Sequence, residues 1–417
     1  MHKTRKFSRL PFILITSLFL VWGLFNNMTD TLLAAFKRIM SMTDFQTSWI
    51  QTAFYGSYFC LAIPAALYIK RFSYKSGVLL GLGLFIGGAM LFYPASISMQ
   101  YAHFLVALFV LAGGLAILET TANPYIIAMG PEETATRRLN LAQSFNPIGS
   151  IMGIILGKLF ILSNLNMANA EERELMDQSA LKVIQSEELN AVMGPYVIVA
   201  LILLSLWIII YFVKMPAASD DTQDFNVLPK VKRLLKNKNY LMGIVAQFFY
   251  CGAQIGVWSF TIRYVMQEFN LNEQEASNYY LASIVLFMFS RFICTWLMQF
   301  IQPKKLLVVL AFIAMLATAS VIFIKGTIGV YSLVLISACM SLMYPTIFGL
   351  AINGLKDDTK IASSGLVMAI VGGAVLTPLQ GLVSDGLQSI SYSYFIPLFS
   401  FGVILFYGLI VSKKVEN

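Results

Sequence analysis

Apolar residues fill the chain in stretches of about 20 positions, and short polar or charged segments separate these stretches. A helix of this length crosses the hydrocarbon core of a bilayer, because each helical residue rises about 1.5 Å. The pattern therefore predicts about twelve membrane-spanning helices. The predicted spans are 12–36, 46–69, 77–96, 104–128, 143–164, 192–213, 240–266, 276–300, 305–324, 329–353, 361–384 and 392–411.

Composition supports a membrane protein. Hydrophobic residues make up 58% of the 417 positions and charged residues only 12%, whereas soluble domains carry about 25% charged residues. With the amino terminus inside, about 21 Lys and Arg fall on inner loops and tails and about 5 on outer loops. This positive-inside bias predicts that both termini are cytoplasmic. The net charge of +8 then reflects membrane topology, and no nucleic-acid partner is predicted.

A polar loop after the sixth span divides the chain into two halves of six spans each. The predicted domains are 1–213, the cytoplasmic linker 214–239, and 240–417. The linker sequence LPKVKRLLKN predicts a helix on the inner membrane surface. The outer segment 165–191 is predicted to be a solvated loop or a short helix. Six helices plus six around a long linker are typical of the all-α major facilitator architecture, in which each half contains two inverted three-helix repeats.

Two carboxylates lie deep inside apolar spans. Of the 21 Asp and Glu residues, only Asp30 in the first span and Glu119 in the fourth do so. A buried carboxylate is costly and is by default a candidate functional group, although a packing hydrogen bond is the structural alternative. Because low polarity favours the neutral carboxyl, such a group can bind and release a proton. Both acids are therefore predicted to couple transport to protons.

Polar and aromatic residues accompany these acids at helical spacing. The first and fourth spans are equivalent under the inverted repeat, together with the seventh and tenth, and all four are expected to line a central cavity. On the fifth span, Gln143, Asn146 and Ser150 are predicted to share one face, since they lie at i, i+3 and i+7. Amides donate and accept hydrogen bonds and so suit a polyhydroxylated ligand, while aromatic rings can stack on sugar C–H faces. The candidate substrate-binding residues are Trp22, Asn26, Asn27, Glu119, Asn123, Gln143, Asn146, Tyr250, Gln254 and Tyr344.

Other reactive side chains suggest no cofactor. The four cysteines are predicted to be free thiols buried in helices, since no C-x-x-C spacing is present. The two histidines form no metal-binding cluster. Three cations, Lys158, Arg263 and Arg291, lie within spans and are interpreted mainly as structural, and a pairing of Arg291 with an acid is left open.

Four motifs together resemble one branch of the major facilitator superfamily. WGLFNNMTD, QTAFYGSYF, LETTANPYI followed by GPE, and RLNLAQSFNPIG are similar to the L-fucose/proton symporter branch, which includes fucose permeases and bacterial glucose/galactose transporters. The resemblance implies a proton-driven sugar importer. It implies that Asp30 is the proton-linked acid and that Glu119 is the essential acid near the sugar. It also implies sugar contacts for Gln143 and Asn146.

The sequence thus predicts an L-fucose/proton symporter that works by alternating access. Its expected partners are a small sugar, a proton and the lipid bilayer, with no obligate protein partner. A glucose/galactose importer of the same branch remains an alternative. In other classes, the alternatives are a drug/proton exporter and a non-transporting sugar receptor. An enzyme is not expected, because no nucleophile motif or His-bearing metal set is present.

Overall fold

The computed structural model describes residues 9–39, 44–161, 173, 176–216 and 227–413. The regular structure in these ranges is helical throughout. The helices before the linker are α1 (Arg9–Ile39), α2 (Asp44–Arg71), α3 (Tyr74–Ser98), α4 (Tyr101–Ala128), α5 (Ala135–Gln143), α6 (Asn146–Leu156) and α7 (Gln178–Phe212), with a π-helical turn at Gly157–Ile161. From the linker onward they are α8 (Val227–Lys236), α9 (Lys238–Phe269), α10 (Glu273–Leu297), α11 (Pro303–Phe323), α12 (Thr327–Met340), α13 (Met343–Ile352), α14 (Thr359–Met368), α15 (Gly372–Gly386), α16 (Ile390–Ser393) and α17 (Phe395–Lys413).

The predicted all-α membrane architecture is confirmed. Each of the twelve predicted spans falls on helical structure within the described ranges, and ten helical segments there are long and apolar enough to cross a membrane. The second and fifth spans are not among these ten. Helix α2 occupies the second span, and the fifth is divided between α5, α6 and the π-helical turn.

Proline breaks two of the spans. Pro147 lies just after the interruption between α5 and α6, and Pro345 lies just after the interruption between α12 and α13. A proline has no N–H, so it cannot bond the carbonyl four residues earlier, and its ring crowds that carbonyl. Gln143 therefore ends α5, whereas Asn146 and Ser150 belong to α6, and the common face of the three residues remains a prediction.

A helix in the linker is confirmed as α8, which a single residue separates from α9, and its place on the inner membrane surface remains a prediction. The outer segment differs from its prediction, since residues 178–191 continue into the sixth span as one helix, α7. Arg173 and Glu188 explain part of this difference. They form a two-pronged ion pair, at 2.9 and 2.5 Å, with side chains 1% and 3% exposed. The charged residues of this segment thus include a buried ion pair, which a solvated loop would not contain.

Two cations cap helix ends. Lys75 donates to the carbonyl oxygens of Tyr211 and Val213, at 2.7 and 2.8 Å, at the end of α7. Arg138 is buried at the start of α5, where it donates to the carbonyl oxygens of Ile127 and Pro131, both at 2.7 Å. Burial lowers the pKa of Arg138 to about 10, so its guanidinium remains charged at neutral pH. These cations therefore stabilise helix ends.

The chain forms two compact units. Described residues within Arg9–Ala122 and Ile148–Ala217 make up the amino-terminal unit, in which α3 packs along α7. Those within Asn123–Pro147 and Ala218–Asn417 make up the carboxy-terminal unit. In that unit α9 packs along α15, α11 along α17, and α5 against α13. The domain boundaries predicted from the order of the helices remain a prediction. The division into compact units differs from them in one respect, because it groups α5 with the carboxy-terminal helices.

The cysteines are free, as predicted, but only three of them are buried. Cys251, Cys294 and Cys339 are enclosed, whereas Cys60 is exposed on α2.

Candidate functional site

A seam of polar contacts joins α5 to α13 within the carboxy-terminal unit. The side-chain amide of Asn140 donates to Oγ1 of Thr346, 3.2 Å away, and both residues are fully buried. One turn earlier on α5, Thr136 packs directly against Gly349. One further turn earlier, Oε1 of Glu132 accepts a bond of 3.2 Å from the backbone N–H of Gly354. Contacts every four residues show that one face of this segment runs along α13.

Arg291 lies at the deep end of this seam. Its Nη1 donates to the carbonyl oxygen of Gln143 at 3.0 Å, and its Nε donates to the carbonyl oxygen of Ser341. The side chain is only 4% exposed and its guanidinium lies 4.6 Å from the centre of the Phe287 ring. Both described hydrogen bonds of the side chain thus go to main-chain carbonyls, and the acid partner left open by the sequence is not among them.

The predicted amides of the fourth and fifth spans meet. Nε2 of Gln143 donates to Oδ1 of Asn123 at 2.9 Å, and both side chains are buried. Nδ2 of Asn123 has no hydrogen-bond partner among the described residues. Asn146 begins α6 and is half-buried. This pair offers a buried, unsatisfied donor of the kind that a hydroxylated ligand or a water can satisfy.

The predicted aromatic residues also lie together. The rings of Tyr250 on α9 and Tyr344 on α13 are 6.0 Å apart, centre to centre. The Tyr250 hydroxyl donates to the carbonyl oxygen of Met340, at 3.2 Å, where α12 ends. Tyr250 is fully buried, and Tyr344 is 9% exposed. Gln254, one turn along α9 from Tyr250, is half-buried. Tyr250 therefore has a packing role at the helix break, whatever its part in binding.

Gln247 is a further amide on the same helix. It is fully buried, and neither its amide oxygen nor its amide nitrogen has a hydrogen-bond partner among the described residues. An unsatisfied buried amide costs roughly 1–3 kcal/mol. A ligand or a water at this position would remove that cost.

In the amino-terminal unit, Glu119 is a buried acid within one of the predicted spans. Its side chain is 2% exposed on α4. The fully enclosed Tyr58 of α2 interacts electrostatically with the Glu119 carboxyl, and its hydroxyl lies beside the indole N–H of Trp22 on α1. Tyr58 was not singled out from the sequence, although it lies within the QTAFYGSYF motif. Its role emerges only when α1, α2 and α4 are brought together.

The polar run of α1 lies on one uninterrupted helix. Trp22, Asn26 and Asp30 are one turn apart, as predicted, because α1 continues to Ile39. Asn26 is half-buried, and its Oδ1 has no hydrogen-bond partner among the described residues. Nδ2 of Asn27 donates to the carbonyl oxygen of Gly23 at 3.0 Å. The side chain of Asp30 lies outside the described part of the structure, so its role remains a prediction.

The remaining intramembrane cations differ in setting. Arg263 is exposed on α9, with its guanidinium 5.4 Å from the centre of the Phe260 ring. Lys158 lies in the π-helical turn, and its side chain is outside the described part of the structure. Within the described residues, no group of three or more His, Cys, Asp or Glu side chains could hold a metal ion.

Comparison with known proteins gives consistent matches along the whole chain. A family model described as the Major Facilitator Superfamily matches residues 12–378. The chain is 41% identical over 417 residues to the L-fucose-proton symporter of Haemophilus influenzae, covering 97% of each protein. It is 34% identical to the glucose/galactose transporter of Brucella abortus, over 96% of this chain and 93% of that one. It is also similar to the crystal structure of the major facilitator transporter FucP in the outward conformation. That match has a TM-score of 0.91 and 38% identity, and covers 97% of this chain and 99% of that one.

Proposed function

Because the chain belongs to the major facilitator superfamily, we propose that it is an L-fucose/proton symporter working by alternating access in a bacterial inner membrane. The observation that carries the proposal is Glu119, a carboxyl that is 2% exposed within an apolar helix beside Tyr58. An acid in this setting exchanges a proton when the surrounding polarity changes. The similarity to a protein described as an L-fucose-proton symporter supports both the sugar and its coupling to a proton.

Asp30 and Glu119 have separate roles in this mechanism. Asp30 takes up a proton from outside, and the neutral form allows the transporter to load and turn over. Glu119 binds the sugar, because a carboxyl can accept hydrogen bonds from sugar hydroxyls. Asp30 lies at a position that follows Asn26 by one turn on α1. The proton gradient then drives accumulation, since the carrier turns inward only with both sugar and proton bound and turns outward again after it has released both.

Amides and aromatic rings complete the proposed sugar site. Gln143 and Asn123 present a hydrogen-bonded amide pair with one donor to spare. Trp22, Asn26 and Asn27 contribute from the first span. The remaining proposed contacts are Asn146, Tyr250, Gln254 and Tyr344. Such a mixture of fixed donors, acceptors and ring faces suits a small polyhydroxylated ligand better than a bulky apolar drug.

The seam between α5 and α13 lies towards the predicted cytoplasmic side. The positive-inside count predicts that Glu132 and Gly354 lie on cytoplasmic loops, and the seam runs from them to Gln143.

Uptake in proteoliposomes tests the proposal. Purified protein is reconstituted, a pH gradient is imposed with the outside acid, and accumulation of labelled L-fucose is measured against unlabelled fucose, galactose and glucose. Fucose should accumulate above its external concentration and should be the strongest competitor. Stronger competition by galactose or glucose would favour the alternative supported by the similarity to the Brucella abortus transporter. Binding without accumulation would identify a receptor instead.

A further inference from the structure

Two main-chain carbonyls at the seam have lost their helical donors. Pro147 lies four residues after Gln143, and Pro345 lies four residues after Ser341. In an unbroken helix the N–H of the later residue bonds the carbonyl of the earlier one, and proline has no N–H to give. The carbonyl oxygens of Gln143 and Ser341 therefore need donors from elsewhere, since a buried, unsatisfied carbonyl is costly.

One side chain supplies both donors. Arg291 reaches the carbonyl of Gln143 through Nη1, at 3.0 Å, and the carbonyl of Ser341 through Nε. The guanidinium is a rigid fork with five donors and keeps its charge when buried, so it can serve two acceptors at once. The Phe287 ring, one turn earlier on α10, fixes the plane of the fork from one face, 4.6 Å away.

The two bonds differ in what they connect. Ser341 and Arg291 both belong to spans of the carboxy-terminal half, the tenth and the eighth. Gln143 belongs to the fifth span, which the predicted boundary by helix order assigns to the amino-terminal half, although α5 packs within the carboxy-terminal unit. Movement of one half against the other therefore stretches the bond to Gln143, while the bond to Ser341 can persist and keep the guanidinium oriented.

We infer that Arg291 is a positioning residue that latches the cytoplasmic ends of the transporter shut by capping the carbonyls freed by Pro147 and Pro345. The latch is conformation-dependent. In the closed seam, Arg291 satisfies the Gln143 carbonyl where water is excluded. Once the cytoplasmic side opens, water replaces Arg291 at that carbonyl. Opening therefore requires breaking one charge-assisted hydrogen bond, and this sets part of the balance between the two states.

The inference rests on the proposed alternating access, so its test uses a readout that needs neither sugar nor transport. Thr346, fully buried in the seam, provides the reporter position, and Thr346→Cys is introduced in a background without the four native cysteines. The labelling rate by a membrane-impermeant maleimide is then measured from the cytoplasmic side. Arg291→Gln should raise this rate about tenfold or more, because a hydrogen bond from a charged donor is lost. The labelling rate of Arg291→Lys should lie between those of the unaltered protein and Arg291→Gln, since an ammonium lacks the planar fork that reaches both carbonyls.

Pro147→Ala separates a latch from a merely stabilising arginine. Alanine restores an N–H at position 147, which bonds the Gln143 carbonyl within the helix and competes with Arg291. Labelling should therefore rise even with Arg291 intact. Pro378→Ala, within α15, is the matched control and should leave the rate unchanged. In thermal unfolding, Pro147→Ala should partly recover the melting temperature lost in Arg291→Gln, whereas Pro378→Ala should not.

Opposite results would overturn the inference. Unchanged labelling in Arg291→Gln, or equal effects of Pro147→Ala and Pro378→Ala, would show that Arg291 does not hold the seam. If Arg291→Gln fails to fold, Arg291→Lys and Pro147→Ala carry the decision. The proposed function fails separately, by absence of fucose accumulation in the unaltered protein, and that outcome leaves the labelling result intact.

Discussion

Gly349 packs so closely against Thr136 that a β-carbon built on it would lie 2.7 Å from Thr136 Oγ1 and 3.1 Å from Cγ2. Real β-carbons do not approach other atoms so closely, so only glycine permits α13 and α5 to meet at this distance. Gly349 lies inside α13 with helical backbone, and the requirement is for space alone. This contact and the Asn140–Thr346 hydrogen bond lie one turn apart along the seam.

Gly349→Ala should weaken the closed seam. The extra methyl group has no space, and overpacking of this kind costs about 1–3 kcal/mol. Cytoplasmic labelling of the Thr346→Cys reporter should rise, and binding of fucose from outside should weaken by up to about tenfold. Gly87→Ala is the control, because a β-carbon there meets no atom within 4 Å. Adding Thr136→Ala should relieve the clash, and a double variant as open as Gly349→Ala alone would refute this explanation.

Asp30→Asn should abolish uptake driven by a pH gradient while leaving sugar exchange partly intact. Asparagine resembles a permanently protonated carboxyl, so it removes the cycle of proton binding and release without a large change in shape. Exchange of internal for external fucose, with no pH gradient, measures what remains. Driven accumulation that persists in this variant would show that another group carries the proton. Asn27→Ala serves as a neighbouring control. Any loss of pH-driven uptake in this variant should match its loss of sugar binding.

Glu119→Gln should weaken fucose binding more than Asp30→Asn does. The substitution removes a buried charge site beside Tyr58 and replaces one acceptor oxygen by a donor. Isothermal titration with each purified variant measures this difference directly. Equal binding by Glu119→Gln and the unaltered protein would exclude Glu119 from the sugar site. Tyr58→Phe would then show whether the neighbouring hydroxyl contributes instead.

The Arg173–Glu188 pair should show strong coupling in unfolding experiments. Arg173→Ala leaves a buried carboxylate without this partner, and breaking such a pair costs about 3–5 kcal/mol. Replacing both residues by Met and Leu should cost less than either single change, because no isolated charge then remains. Midpoints of thermal unfolding in detergent measure all three variants. Additive losses would mean that the two side chains act independently.

Arg138→Ala should destabilise the protein by about 3 kcal/mol, because it leaves the carbonyls of Ile127 and Pro131 without their charged donor. Arg137→Ala is a matched control on the same turn and removes the same charge. Since Arg137 is only half-buried, its loss should change stability by about 0.5 kcal/mol or less. Similar losses in both variants would mean that charge at the loop, rather than the cap, is what matters.

Much of this architecture is visible in the pattern of apolar runs. Their length and the distribution of Lys and Arg predict helices and sidedness, and the proximity of Asn123 and Gln143 agrees with the amide stripes. These features depend on local periodicity, which sequence records directly. The prediction for the outer segment 165–191 was incomplete for a physical reason. Arg173 and Glu188 read as solvent-facing charges until their pairing is known, and that pairing depends on contacts between residues 15 positions apart.

The partners of Arg291 could not be predicted from side-chain patterns. Its acceptors are backbone oxygens, which every residue possesses. The only signal was the spacing of Gln143 to Pro147 and of Ser341 to Pro345, which shows that two carbonyls are freed but not which side chain reaches them. The partners of Tyr58 could not be predicted either, because its place beside Glu119 and Trp22 depends on three helices meeting. Side chains that serve a site from a neighbouring helix require the tertiary structure.

The bonds of Arg291 also bear on how the protein is made. An arginine at the centre of a helix costs roughly 2.5–3.5 kcal/mol during insertion by the translocon, and Ser341 is synthesised 50 residues later. At about 5–20 residues per second, that delay is roughly 3–10 s. During this interval the acceptor of Arg291 that already exists is the carbonyl of Gln143, synthesised 148 residues earlier. The full set of hydrogen bonds of Arg291 in the eighth span therefore depends on synthesis of the tenth.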